Sequence, residues 1–222
     1  MTERLAVESG QNQRAAVYDT PGVLCRFQRR RMVVDRCGLC RVVISDEHPH
    51  LIELSSRDII CSCQACELIS REDPEMGCLR IPDRILYLTN FQLSNALWES
   101  LLIPNGIAFF VYHSARKKVI ALYPGPAGAV EALLTPASWK ELVTDNPVLR
   151  GMEADTEALL VNRVGPIREY YLVSINQCYW LGETVRQNWR GLSGGKEVWD
   201  AVRNFFVSLR ETARRVGNTG NA

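Results

Sequence analysis

Several features that mark other protein classes are missing from this sequence of 222 residues. It has no excess of one charge, because 26 basic side chains face 25 acidic ones. That balance removes the simplest case for a chain that binds nucleic acid or an anionic membrane through its overall field. No apolar run approaches the ~18–20 residues that a membrane span needs. No cationic start with an apolar segment behind it opens the chain, so we expect no secretory signal and predict a cytoplasmic protein.

Disorder along the whole chain is also excluded by composition. Apolar residues make up 46% of the sequence and charged residues 23%, which is ordinary for a globular protein. A chain of this length forms one large domain or two small ones.

Cysteine is the residue type whose distribution is unusual. Seven of the eight cysteines lie between Cys25 and Cys78, and only Cys178 lies outside this window. Two of the three histidines, His48 and His50, fall in the same window. In a reducing compartment, cysteines this close together indicate metal or redox chemistry rather than structural disulfides.

Two C-x2-C pairs form the centre of this window. Cys37 and Cys40 make the first pair, 22 residues follow, and Cys63 and Cys66 make the second. In such a pair a tight turn aims both thiolates at one ion, and Gly38 supplies a permissive backbone for the turn. Four thiolates complete the closed tetrahedral set of a structural zinc site. We therefore predict Cys37, Cys40, Cys63 and Cys66 as metal ligands.

The identity of the metal is left open by the spacing. Zinc is the expected ion, because four thiolates suit it and it is redox-inert. Iron, as a rubredoxin-like centre or an iron–sulfur cluster, uses the same four thiolates. The alternatives without metal are a set of reduced, buried cysteines and, less favoured, a disulfide pair.

Three further residues are secondary candidates as metal ligands. Cys61 could replace Cys63 in the set or stand beside it as a free thiol. His48 and His50 are alternate residues, so on an extended strand both imidazoles point to one side and could form a second site. Two exposed histidines on a loop are the interpretation we favour. No catalytic constellation is evident, and we expect a non-enzymatic protein.

A nucleic-acid-binding zinc ribbon is a further hypothesis. Six arginines and one acidic residue lie between Arg26 and Arg41. However, residues 1–80 carry 11 arginines, no lysine and 12 acidic residues, a net charge of −1, and their only aromatic residues are Tyr18 and Phe27. Nucleic-acid ribbons usually combine a basic field with stacking aromatics, so this function is disfavoured.

The fold class expected from the pattern is α+β. A hairpin connects the two cysteine pairs, and an antiparallel sheet covered by helices follows. The predicted divisions are a flexible tail over 1–24, a zinc-ribbon-like module over 25–70, a linker over 71–83, the α+β domain over 84–216 and a tail over 217–222.

Turn residues and apolar periodicity place the elements of the second half. Helices are expected after the capping residues Ser94 and Thr135, and over two apolar stripes, Cys178 to Trp189 and Val198 to Val216. The predicted strands cover 84–88, 106–112, 118–123, 129–134, 159–161 and 170–173.

Several segments together resemble a known family. They include Cys37-Gly-Leu-Cys40, Asp46-Glu-His-Pro-His50, Cys61-Ser-Cys-Gln-Ala-Cys66, Ile103-Pro-Asn-Gly-Ile-Ala-Phe-Phe110 and Tyr123-Pro-Gly-Pro-Ala-Gly128. Over about residues 36–210 the chain resembles an uncharacterised, chiefly actinobacterial family whose genes accompany those of oxygen-tolerant, high-affinity nickel–iron hydrogenases. The resemblance implies an accessory or assembly factor whose partner is a hydrogenase or its maturation machinery. The resemblance identifies no catalytic residue in this chain.

Overall fold

A computed structural model of the chain describes residues 17–18, 35–191 and 193–218. The predicted tail over 1–24, apart from residues 17–18, lies outside this part, as do residues 219–222 of the tail predicted at the other end. Most of the arginine-rich segment before Arg36 lies outside it as well.

Five α-helices and eleven strands are found in the described part of the chain. The helices are α1 (Gln64–Glu72), α2 (Asn95–Ser100), α3 (Pro136–Asp145), α4 (Ile175–Asn188) and α5 (Gly195–Thr212). The strands are β1 (Val17–Tyr18), β2 (His50–Glu53), β3 (Ile59–Cys61), β4 (Cys78–Arg80), β5 (Ile85–Leu88), β6 (Ile107–His113), β7 (Lys118–Gly125), β8 (Gly128–Glu131), β9 (Glu157–Asn162), β10 (Glu169–Ser174) and β11 (Arg214–Val216).

Eight of the strands form one sheet in the order β1-β8-β7-β6-β9-β10-β5-β11. All neighbours in it are antiparallel except β11, which runs parallel to β5. The α+β class with an antiparallel sheet is therefore confirmed.

The sheet is covered by helices on both faces because its strands alternate two apolar sets. Phe109 and Val111 of β6 pack with α4 and α5, whereas Phe110 of the same strand packs with α2 and α3. All six residues of β9 and all six of β10 are buried, as expected for strands enclosed on both faces.

One predicted element is wrong at its end. The apolar stripe of the last helix was expected to run to Val216, but α5 ends at Thr212 and Val216 belongs to β11. There the Val216 carbonyl accepts hydrogen bonds from the backbone N–H and the hydroxyl of Thr89. Pairing with the open edge of β5 satisfies backbone groups that a continued helix would leave distant from the sheet.

The segment between the two cysteine pairs forms the predicted hairpin. Strands β2 and β3 pair with His50 opposite Cys61, and β4 adds on the other side of β2. Residues 41–44 are not a strand of this sheet, and an isolated bridge joins Arg36 to Val43. Strand β4 lies inside the segment predicted as a linker, and the domain boundaries themselves stay a prediction.

This small sheet packs directly against the large one. Ile52 and Ile81 are fully buried in the same apolar cluster as α4 and α5. Arg57, in the β2–β3 turn, donates to Asp155 at 2.5 Å, and its carbonyl accepts from the Tyr179 hydroxyl at 3.2 Å. The cysteine hairpin is thus held in a fixed position on the α+β scaffold.

Within the described ranges, no helix combines the length and the apolar character needed to cross a bilayer.

Candidate metal centre

The first cysteine pair sits in a tight turn fixed by backbone hydrogen bonds. The N–H of Cys37 donates to the carbonyl of Val42 at 2.8 Å, and the N–H of Arg41 donates back to the carbonyl of Cys37 at 2.9 Å. The N–H of Gly38 donates to the carbonyl of Cys61 at 2.8 Å. The turn is therefore closed on itself and attached to the end of β3.

Two backbone positions shape this turn in different ways. Gly38 was expected to supply conformational freedom, but what the fold requires there is space: a Cβ at this position would lie 2.6 Å from Cγ2 of Ile60. Arg41, directly after Cys40, has a φ of 67°. Non-glycine residues seldom adopt this left-handed conformation, which costs about 1–3 kcal/mol when the surroundings impose it.

The second cysteine pair sits at the start of helix α1. Cys63 is the N-cap residue, and its sulfur accepts a hydrogen bond from the N–H of Cys66 at 3.4 Å. The free N–H groups and the positive end of the helix dipole favour negative charge at this point. The second pair is therefore held at the positive end of a helix.

The two turns bring all four predicted ligands together. The sulfur atoms of Cys37, Cys40, Cys63 and Cys66 lie within 4.8 Å of one another, and those of Cys40 and Cys63 are 3.7 Å apart. Cys37 is buried, Cys63 and Cys66 are half-buried, and Cys40 is exposed. The cluster thus has a buried side under the first turn and an open side at Cys40.

The protein surroundings act in opposite directions on two of these thiols. Burial alone would raise the pKa of Cys37, but backbone N–H groups of Cys40, Cys63 and Leu39 donate to its sulfur and bring the pKa down to about 6. Burial, together with hydrogen bonds among the neighbouring thiols, raises the pKa of Cys66 to about 12. Four sulfurs this close cannot all ionise unless a cation offsets their repulsion.

The geometry fits a four-coordinate ion. A Zn–S bond of ~2.3 Å in a tetrahedron places neighbouring sulfurs roughly 3.8 Å apart, and the Cys40–Cys63 separation is close to this. Since each sulfur lies within 4.8 Å of the other three, small side-chain rotations are enough to complete the tetrahedron. The cysteine set can therefore hold a metal, and its geometry does not identify which one.

The secondary candidates form a separate group beside the cluster. His48, His50 and Cys61 each offer a ligand atom within 4.8 Å of the other two. Cys61 is disulfide-bonded, so it neither replaces Cys63 in the four-thiol cluster nor provides the free thiol considered from the sequence. The two imidazoles lie together. The favoured interpretation of two exposed histidines on a loop is wrong, because both are half-buried and His50 belongs to β2.

The two remaining described cysteines lie away from the cluster. Cys78 is buried in β4, and Cys178 is buried in the apolar cluster under α4. Burial raises the pKa of both thiols. At neutral pH these side chains stay protonated and behave as small apolar residues.

Helix α1 is the part of the centre that sequence reasoning missed. Its buried side chains are Glu67 and Ser70, while Leu68 and Ile69 are more than half exposed. The apolar residues of α1 do recur at helical spacing, the usual indication of a helix, but the stripe is short and faces solvent. Cys63 at the N-cap followed by the acidic Glu67 in the first turn could have indicated the helix start.

The fold and the four-thiol cluster define an α+β protein with a candidate metal centre. Residues 36–213 match the family of unknown function DUF5947, and the chain belongs to that family. No curated protein and no solved structure matches it. The predicted membership in an uncharacterised family is thus confirmed, whereas actinobacterial origin and the hydrogenase association stay predictions.

Proposed function

We propose that this protein is a metal-binding accessory protein in which Cys37, Cys40, Cys63 and Cys66 hold one structural zinc ion. The observation that supports this most directly is the meeting of four sulfurs from two separate turns within 4.8 Å. Four thiolates around one ion leave no open position for a substrate, which is the arrangement of structural rather than catalytic zinc.

The position of the cluster supports a structural role. It joins the first turn to the start of α1 across 22 intervening residues, and the β2–β3 hairpin between them packs on the large sheet. An ion bound here would cross-link these elements. Metal binding to such a site contributes directly to folding free energy.

Exposed apolar side chains around the centre support an interaction with another protein. Leu39, Val42 and Val43 belong to the first turn and its continuation, and Leu68 and Ile69 follow the second pair on α1. Because the two turns meet at the cluster, these side chains flank one centre. Exposed apolar groups gathered in this way are typical of protein-binding surfaces.

The metal is tested first on the untagged chain, purified anaerobically and passed over a mild chelator. We expect one zinc per chain by elemental analysis and no absorbance above 320 nm. Replacing Cys37 or Cys66 with Ala should reduce the bound zinc to well below one equivalent and lower the unfolding temperature. Structural zinc contributes roughly 10–16 kcal/mol of apparent binding free energy in small fingers, so the loss should be large.

The control is Cys178→Ala. It removes a buried thiol that does not belong to the cluster and leaves the four ligands intact. It should lower stability through a core cavity while keeping one zinc per chain. Metal-free wild-type protein, or full zinc content in the Cys37 and Cys66 variants, would contradict the proposal. Iron with charge-transfer absorbance would instead favour the alternative of an electron-transfer or metal-delivery protein.

The narrower hypothesis, support of nickel–iron hydrogenase maturation or assembly, depends on the family resemblance alone. It predicts that the full chain binds a hydrogenase subunit or a maturation protein, and that Val43→Asp weakens this binding while an exposed change elsewhere, Arg203→Ala, does not. Equal binding by both variants would show that the partner does not bind through the surface around the centre. Nucleic-acid binding stays a disfavoured alternative, and a cytoplasmic location stays a prediction.

A further inference from the structure

We propose a second metal site, formed by His48 and His50, that binds a divalent cation such as Zn²⁺ exchangeably. The ring centroids of the two imidazoles are 4.8 Å apart, with the ring planes tilted by 40°. A ring nitrogen of each also lies within 4.8 Å of its counterpart on the other. Two nitrogens that share one ion at ~2.1 Å are separated by roughly 3.4 Å in a tetrahedron, so a small ring rotation completes the pair.

The hydrogen bonding of His48 leaves one nitrogen prepared for a cation. Its Nδ1 lies 2.7 Å from the carbonyl oxygen of Ser45, and a carbonyl can only accept, so Nδ1 carries the proton. In the neutral ring Nε2 then presents a lone pair, and this atom is buried with no hydrogen-bond partner among the described residues. Metal-binding histidines typically donate their other ring N–H to a backbone carbonyl in this way.

The backbone around the two histidines is held in place. The carbonyl of His50 accepts from the N–H of Ile81 at 2.9 Å, and the carbonyl of Pro49 accepts from the N–H of Ser62 at 2.9 Å. Since His50 and the residue between the two histidines are both hydrogen-bonded to neighbouring segments, little conformational entropy is lost when the imidazoles close on an ion.

The chemistry of this site differs from that of the four-thiol cluster. Cys61 lies in the same group but is disulfide-bonded, so the proposed site counts the two imidazoles only. Imidazole nitrogens suit zinc, copper and nickel. Two protein ligands leave the remaining positions to water or to an incoming ligand, and we expect weaker, faster-exchanging binding than at four thiolates.

Equilibrium dialysis of the untagged, full chain against micromolar free Zn²⁺ tests the site, with bound zinc measured by elemental analysis. The chain is first loaded with zinc and treated with mild chelator, which leaves the tightly bound ion. We expect one additional equivalent in the wild type. His48→Ala and His50→Ala should each weaken the additional equivalent at least about tenfold, and the double variant should lose it.

The matched control is His113→Ala, which removes the third histidine of the chain and should keep the additional equivalent. Absence of additional zinc in the wild type, or its persistence in the double histidine variant, would overturn the proposal. The tightly bound equivalent reports separately on the four-thiol cluster. It should stay near one in every histidine variant, so failure at one site is distinguishable from failure at the other.

Discussion

At the scale of single residues, the cysteine spacing identified the four members of the cluster but not the reason that Cys63 rather than Cys61 joins it. Both lie before Cys66 at short spacing. Cys63 caps α1, which directs its sulfur to the other three. Cys61 ends β3 opposite His50, where it belongs to the histidine group. The choice depends on helix α1, which was not among the predicted elements.

Gly38 provides a prediction at this scale. Gly38→Ala should destabilise the first turn by about 1–3 kcal/mol, the usual cost of overpacking, because the added Cβ would lie 2.6 Å from Cγ2 of Ile60. Chemical denaturation of the zinc-loaded protein measures the loss. The double variant with Ile60→Ala removes the opposing atom, so the Cβ should cost less in that background. An equal cost in both backgrounds would show that contact with Ile60 is not the reason for the glycine.

At the scale of helices and strands, capping residues were more reliable than apolar stripes. Thr135 was predicted to cap a helix with Pro136 at its first position, and α3 begins there, with the Thr135 hydroxyl accepting from the N–H of Ser138 at 3.1 Å. The apolar stripe predicted from Val198 to Val216, in contrast, extends past the end of α5 at Thr212. A cap depends on neighbours in sequence, whereas a strand such as β11 depends on a distant edge.

Replacement of the α3 cap tests this local interpretation. Thr135→Ala should lower the free energy of unfolding by about 1 kcal/mol, because an N–H of the first helical turn loses its acceptor. Thr135→Ser keeps a hydroxyl at the same position and should retain most of the stability. Thermal unfolding of both variants beside the wild type makes the comparison. Equal destabilisation by Ser and Ala would mean that the methyl group, not the hydroxyl, matters.

At the scale of the whole molecule, the two halves of the chain are joined by apolar and ionic contacts. Ile52 and Ile81 from the small sheet lie in the apolar cluster of the large one. Arg57 pairs with Asp155, whose side chain is 1% exposed. The cysteine hairpin is therefore part of one packed structure, and changes at its far end should affect the stability of the whole.

Arg57→Ala tests this connection. It leaves the buried Asp155 carboxylate without its cationic partner, and breaking such a pair typically costs about 3 kcal/mol or more. We expect one cooperative transition at lower denaturant, detected both by tryptophan fluorescence and by zinc release. Arg203→Ala, which breaks the exposed pair with Asp200, should cost no more than about 0.5 kcal/mol. Zinc release that precedes the fluorescence change would show that the hairpin unfolds independently.

Features that depend on short spacing could be predicted from the sequence alone. Two C-x2-C turns, a hairpin between them and helix caps are local, since the atoms concerned are a few residues apart and the chain has few ways to arrange them. On this basis the α+β class and the four cysteines of the centre were predictable.

Features that depend on distant partners were settled by the tertiary structure. It brought the two cysteine turns to one point, paired β11 with the edge of β5 and seated the small sheet on the large one. Burial of apolar surface and pairing of backbone groups act between segments far apart in sequence, so no local pattern records their outcome.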